Sequence, residues 1–146
     1  MLSKEQADEK VSQKWLRVNM VFEVIGVKEE VAQVALKDLM NKLDNDKRVG
    51  LYHTEYSDIA KIENPTKQIK EGFSQICETK LAVKSLENLV DLVMEYGPAG
   101  IEVTEPARIE ISVGEAQTIA NSVSQMIHRF AAAGIGGLLF IKEKIK

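Results

Sequence analysis

The hydrophobic pattern of this chain changes its period near Gly26, and the change predicts a strand followed by a helix. Residues 16–24 alternate between apolar and polar side chains, which is typical of a strand with one buried face. Over residues 28–43 the apolar side chains recur every three or four positions, which predicts an amphipathic helix. A second strand follows over residues 49–59. The pattern of residues 57–71 is weak and fits either a long hairpin or an irregular loop.

The same order of elements recurs in the second half of the chain. Residues 73–83 predict a strand, and Ser85 is a suitable N-cap for a helix over residues 86–96. A fourth strand over residues 101–111 is interrupted by Pro106. Because proline cannot donate a hydrogen bond to a β-ladder, we expect this strand at a sheet edge or broken by a bulge.

Two successive β-α-β units predict an α+β fold of the ferredoxin-like type, with an extra C-terminal helix. Short connections and right-handed crossovers place both helices on one face of a four-stranded antiparallel sheet. The first and third strands are then central. Ser112 and Glu115 have the spacing of a capping box and open the extra helix, over residues 113–132. We expect residues 1–13 to form a polar leader, helical or frayed, and residues 14–146 to form a single domain that includes this helix and the tail.

Composition excludes several classes of protein. The 146 residues carry a formal net charge of −3, which disfavours nucleic-acid binding, and the single cysteine, Cys77, excludes a disulfide scaffold. Residues 1–13 lack the apolar run of a signal peptide. The longest apolar stretch, residues 130–141, is shorter than the roughly 20 residues that cross a bilayer. We therefore expect a cytoplasmic protein without a nucleic-acid or membrane partner.

Two stretches carry a resemblance to a known family. Residues 96–106 read YGPAGIEVTEP, and residues 111–117 read ISVGEAQ. Together they resemble a conserved family of small archaeal proteins with no assigned function. The resemblance implies an archaeal, cytosolic protein and carries over no catalytic residue.

The charged residues around Pro106 are the first candidate site. Glu102, Glu105 and Arg108 lie close together in the chain, and the two glutamate carboxylates could bind a cation or an amine. The alternative is that these charges protect an edge strand against pairing with another sheet.

We predict no metal ligand, cofactor or catalytic residue. The two histidines, His53 and His128, lie in different elements and lack neighbouring ligands at a suitable spacing. Cys77 shares its parity with the core side chains of its strand, which favours a buried thiol. The glycine-rich residues 134–137 follow a helix, whereas a phosphate-binding loop precedes one.

Apolar side chains are expected on the sheet face away from the helices. The candidate interface residues are Trp15, Val21 and Ile76, together with Leu139 and Phe140 of the tail. Either the C-terminal segment covers this face within one chain, or the face is a subunit interface.

Three functional hypotheses remain open from the sequence. The first is a non-catalytic, oligomeric module that binds a small ligand or a partner. The second is a small metal-independent enzyme that uses carboxylates such as Glu23, Glu102 or Glu105. The third is an RNA-binding sheet that stacks bases on Tyr52 and Tyr56, with Trp15. The first is favoured because no pair of a nucleophile and a base is recognisable in the sequence.

Overall fold

The structure, a computed structural model, describes residues 1–133. Within them the elements follow the order α1 (Lys4–Ser12), β1 (Leu16–Gly26), α2 (Glu29–Asp44), β2 (Val49–Tyr56), β3 (Ala60–Glu63), β4 (Glu71–Val83), α3 (Leu86–Tyr96), β5 (Gly100–Glu105) and α4 (Val113–Ala132). The described residues form two compact units, which divide between Ile109 and Glu110. All five strands belong to the first unit, and α4 belongs to the second.

The strands form one antiparallel sheet, which confirms the predicted α+β class. The order of the long strands is β2-β4-β1-β5, so β1 and β4 are central and β2 and β5 are at the edges. The sheet is more than a simple four-stranded ferredoxin-like arrangement, because β3 pairs with β4 beyond the end of β2. The weak pattern of residues 57–71 therefore contains a short strand and the turn that joins it to β4.

The fourth predicted strand is shorter in the structure than in the sequence analysis. β5 ends at Glu105, directly before Pro106, and residues 107–111 form no strand. The missing N–H of a proline explains the end of the ladder at this position. Within the described residues β5 pairs with β1 alone, as expected for an edge strand.

The core lies between the sheet and the helices α2 and α3. The alternating residues of β1 point into it as predicted, and Phe22 is only 1% exposed. Cys77 lies opposite Phe22 on β4 and is fully buried, in agreement with its parity. The other fully buried members of the core include Val18, Met20, Leu36, Leu43, Leu81, Val83 and Leu92.

Caps determine where the helices begin and end. The Oγ of Ser85 accepts a hydrogen bond from the N–H of Asn88 at 3.1 Å, which confirms it as the N-cap of α3. Gly97 ends α3 with a φ of 58°, a left-handed conformation that glycine adopts without strain. At the start of α4 the Oγ of Ser112 accepts from the N–H of Glu115 at 3.0 Å, which is the N-cap half of the predicted capping box.

The leader forms a capped helix that packs within the first unit. Ser3 and Gln6 form a reciprocal capping box at the start of α1. The N–H of Leu2 donates to the carbonyl oxygen of Leu51 at 2.8 Å, and Ala7 is fully buried. Of the two alternatives for residues 1–13, the structure therefore shows the helix. It belongs to the same compact unit as the sheet.

A charged network joins the start of β2 to α3. The carboxylate of Asp46 accepts two hydrogen bonds from the guanidinium of Arg48, at 2.9 and 2.5 Å, and one from the hydroxyl of Tyr96 at 2.9 Å. Arg48 also contacts Glu95 at 2.8 Å. The hydrogen bonds from Arg48 hold the pKa of Asp46 well below its usual range.

None of the described helices has the length and apolarity that a membrane crossing requires.

Candidate functional site on the open sheet face

The strand register defines the sheet face opposite α2 and α3, which we call the open face. Side chains directly opposite each other in a ladder point to the same face. His53 lies opposite Lys80, Lys80 lies opposite Asn19, and Asn19 lies opposite Glu102. These four residues form one row that crosses β2, β4, β1 and β5, and we call it the polar row. Each side chain of the polar row is polar or charged, and none of the four is buried.

A cavity of about 520 Å³ opens on this face beside α1. Asn19, His53 and Lys80 of the polar row line it. Its other walls come from α1, β1, β2 and β5, and consist of Lys4, Asp8, Arg17, Tyr52, Thr104 and Glu105. The helix of the leader therefore supplies one wall of the cavity.

Arg17 holds the walls of this cavity together. Its guanidinium donates to the hydroxyl of Tyr52 at 3.0 Å and to the carboxylate of Asp8 at 2.5 Å, and lies 3.5 Å from a carboxylate oxygen of Glu105. The side chain is only 17% exposed. The hydrogen bond to Tyr52, followed by the one to Asp8, raises the pKa of Arg17 above its ordinary value. Arg17 is thus a permanent cation whose charge is balanced by its neighbours.

A second cavity, of about 350 Å³, continues along the open face. It shares Asn19, His53 and Lys80 with the first, and adds three carboxylates, from Glu55, Glu78 and Glu102. Glu55 and Glu78 lie directly opposite each other, a like-charge pair that destabilises a sheet. The acidic side chains of this cavity would gain from a cationic partner.

The charges on the open face are therefore unevenly distributed. The first cavity holds Lys4 and Lys80, and neither forms an ion pair with a described residue. The second cavity holds the three carboxylates beside Lys80. The polar row lies where the two cavities meet. This arrangement can bind an anionic group at one end and a cationic or hydrogen-bond-donating group at the other.

The structure places two of the three predicted ligand residues in cavities of the open face, one in each. Glu105 lines the first cavity and Glu102 the second, both on the edge strand β5. Arg108 is exposed in the segment after Pro106 and lines neither cavity. The partner of the Glu105 carboxylate is Arg17, 88 residues earlier in the chain.

The predicted interface residues are distributed differently from the expectation. Val21 and Ile76 are half-buried on the open face, but each lies opposite a glutamate in the ladder. Trp15 precedes β1 and its ring is covered by the ammonium of Lys10 at 4.1 Å. Leu139 and Phe140 lie outside the described residues, as do the glycines at positions 134–137. The described part of the face is therefore more charged than the sequence analysis expected.

A β-bulge separates the aromatic side chains of β2. The register shifts between Leu51 and His53, so that Tyr52 reaches Arg17 on the open face while Tyr56 lies opposite Cys77 on the core side. Tyr52 and Tyr56 therefore do not share one face of the sheet.

Sequence reasoning missed Arg17, Asn19 and Lys80 as members of a site. The signal available was their place on the polar side of strands β1 and β4, which also fits an ordinary solvated face. No group of three histidine, cysteine, aspartate or glutamate side chains suited to a metal ion occurs among residues 1–133.

No curated protein and no solved structure matches this chain. A family model does match it, that of the MJ0538 family, over residues 17–146. The matched span begins at Arg17 and includes every strand that contributes to the polar row, whereas α1 precedes it. Since the match covers most of the chain and agrees with the resemblance of residues 96–117, this protein belongs to the MJ0538 family.

Proposed function

We propose that this protein is a non-catalytic binding module and that its ligand site is the open face of the sheet. The observation that carries the proposal is the polar row, which crosses all four long strands and connects two cavities of unlike charge. Lys80 stands where both cavities meet. A ligand site requires a concave surface of this kind, whereas a sheet face that only contacts solvent does not.

The proposed ligand is a small anion that also carries an amine, such as an amino acid or a phosphorylated amine. Its anionic group would bind Lys4 and Lys80, because these ammonium groups have no carboxylate partner among the described residues. Its amine would bind Glu78 and Glu102. Arg17 has a different role, since its three partners already occupy it and hold the cavity walls in place.

Binding is favoured over catalysis by the character of the described side chains. Burial raises the pKa of the Cys77 thiol, which makes it a poor nucleophile, and its side chain faces the core. Glu23, one of the carboxylates considered for an enzyme, accepts a hydrogen bond from Ser74 at 2.7 Å. A metal-independent enzyme stays the alternative, and turnover of a bound compound would identify it.

The proposal includes four broader features. The order β2-β4-β1-β5 supports classification as a ferredoxin-like fold with β3 added. The single buried cysteine is compatible with a reducing cytoplasm, and the family supports an archaeal origin. Self-association is the fourth feature.

We expect Lys80→Ala to abolish most ligand binding. Wild-type protein would be screened by thermal unfolding with phosphate as an anion, a diamine as a cation, and amino acids and phosphorylated amines as carriers of both charges. An amine-bearing anion at 100 times its Kd should add about 2.7 kcal/mol of stability, a rise in Tm of roughly 5–10 °C. Loss of one charge-assisted hydrogen bond should weaken binding by roughly 10–100-fold in Lys80→Ala.

Lys84→Ala is the matched control, because Lys84 is an exposed lysine just beyond β4 and lines neither cavity. It should respond to the ligand as the wild type does. The proposal is wrong if no compound of the three classes raises Tm, or if Lys80→Ala and Lys84→Ala respond equally.

A further inference from the structure

The helix α4 carries an apolar stripe along one side. All of its side chains from Val113 to Ala132 are at least partly exposed, and Val123 and Phe130 are 41% and 42% exposed. A helix of this length gains little stability by itself in water. The stripe therefore needs a partner, and the spacing of its residues indicates which one.

The apolar side chains of α4 follow a heptad pattern. They alternate in steps of three and four residues, as the a and d positions of a coiled coil do, and comprise Ala116, Ile119, Val123, Met126 and Phe130. Ile127 widens the stripe at an e position and is 47% exposed. This periodicity fits packing of α4 against another helix of the same pattern.

The charges of α4 select the direction of pairing. Apart from His128, Glu115 and Arg129 are its only ionisable residues, and they lie two heptads apart at the same g position. In a parallel pair, each g side chain meets an e position of the partner, and the e position facing Glu115 would hold Ala120. In an antiparallel pair, g faces g, so that Glu115 of each copy meets Arg129 of the other.

We propose that α4 pairs with α4 of a second copy of this chain as an antiparallel coiled coil. Ile119 of one copy then packs against Val123 of the other, Ala116 packs against Met126, and the Glu115–Arg129 pairs close both ends. Ile127 occupies an e position in each copy, and the e positions also face the partner helix. This surface gives the proposed self-association a location and does not depend on the ligand proposed for the sheet.

Charge reversal in the full-length protein tests the pairing, with the dimer dissociation constant measured by analytical ultracentrifugation. Each single change, Glu115→Lys or Arg129→Glu, should raise the dissociation constant by about tenfold, because two attractive pairs per dimer become repulsive. The double variant should restore it to within a few-fold of the wild type. Glu115 and Arg129 also suit the dipole of α4 itself, and an effect through the dipole alone would make the double variant the weakest.

Substitution in the seam provides an independent test. Val123→Asp should leave a monomer at every accessible concentration, since it places a carboxylate in the apolar interface. Asn121→Asp is the matched control on the outer face of α4 and keeps the acceptor for Gln117. Circular dichroism of each variant checks that the helix content is retained.

The pairing is overturned if the wild type is a monomer, which would mean that the stripe is covered within one chain. It is also overturned if Val21→Glu dissociates the dimer while Val123→Asp does not, which would move the interface to the open sheet face. Ligand-induced Tm shifts of the same variants are read separately, so that loss of the dimer and failure of the ligand site are distinguishable.

Discussion

Phe22→Ala lowers the free energy of unfolding of this protein by about 3–5 kcal/mol. Phe22 lies in β1, a central strand, and is only 1% exposed within the core that α2 and α3 cover. Removal of its ring leaves a cavity that the surrounding strands cannot fill, so the lost burial and the lost packing contacts add. A domain of this size is stable by only about 5–15 kcal/mol, and the change therefore removes a large part of the total.

Urea unfolding followed by the fluorescence of Trp15, the only tryptophan, measures this loss in the first unit. Phe22→Leu is the matched control, because it keeps most of the volume and should cost less than about 1.5 kcal/mol. A loss below about 1 kcal/mol for Phe22→Ala would show that this position does not lie in a packed core.

Asp46→Asn is expected to lower the free energy of unfolding by about 2 kcal/mol at neutral pH, the range of a hydrogen bond to a charged group. The Asp46 carboxylate is 11% exposed and binds both Arg48 and Tyr96. Arg48 holds its folded pKa well below the ordinary value of 3.8. Its contribution is therefore complete at any pH above that value and is lost as the pH falls below it.

The free energies of unfolding of the wild type and Asp46→Asn should therefore become more alike as the pH is lowered from about 5 towards 2. Unfolding measured at several pH values between about 5 and 2 tests both the direction and the size of this pH dependence. Asp58→Asn, at an exposed aspartate just after β2, is the control and should stay close to the wild type throughout. A difference that does not depend on pH would contradict the proposed role of the Asp46 charge.

Local sequence signals sufficed for most of the secondary structure. The alternation of residues 16–24 predicts β1 because one face of that strand is packed and the other is not. Ser85 and Gly97 mark the ends of α3 because each provides a backbone partner or a conformation that few residues can provide. Pro106 predicts an edge for β5 for the same kind of local reason.

Features that depend on pairing were not accessible from the sequence. The strand β3 is only four residues long, and the alternation of Ala60–Glu63 does not indicate which strand it pairs with, so its pairing with β4 leaves no local signal. The bulge in β2 moves Tyr52 and Tyr56 to opposite faces although they share a parity.

The residues of the candidate site were also predicted only in part from the sequence. Glu102 and Glu105 were recognised from their charge and their edge strand, but Arg17 and Lys80 were not. Arg17 meets Glu105 only because β1 and β5 are neighbours, and Lys80 meets Asn19 only through the register of β1 and β4. The spacing of charges along the chain contains neither relation.

Nuclear magnetic resonance of the ¹⁵N-labelled protein tests the binding site most directly. The titrant is the amine-bearing anion that gives the largest Tm shift. We expect the largest amide shifts in the polar row, at Asn19, His53, Lys80 and Glu102. The amides of α2, on the other side of the sheet, should change little. Largest shifts along α2 or α3 would contradict the assignment of the open face as the ligand site.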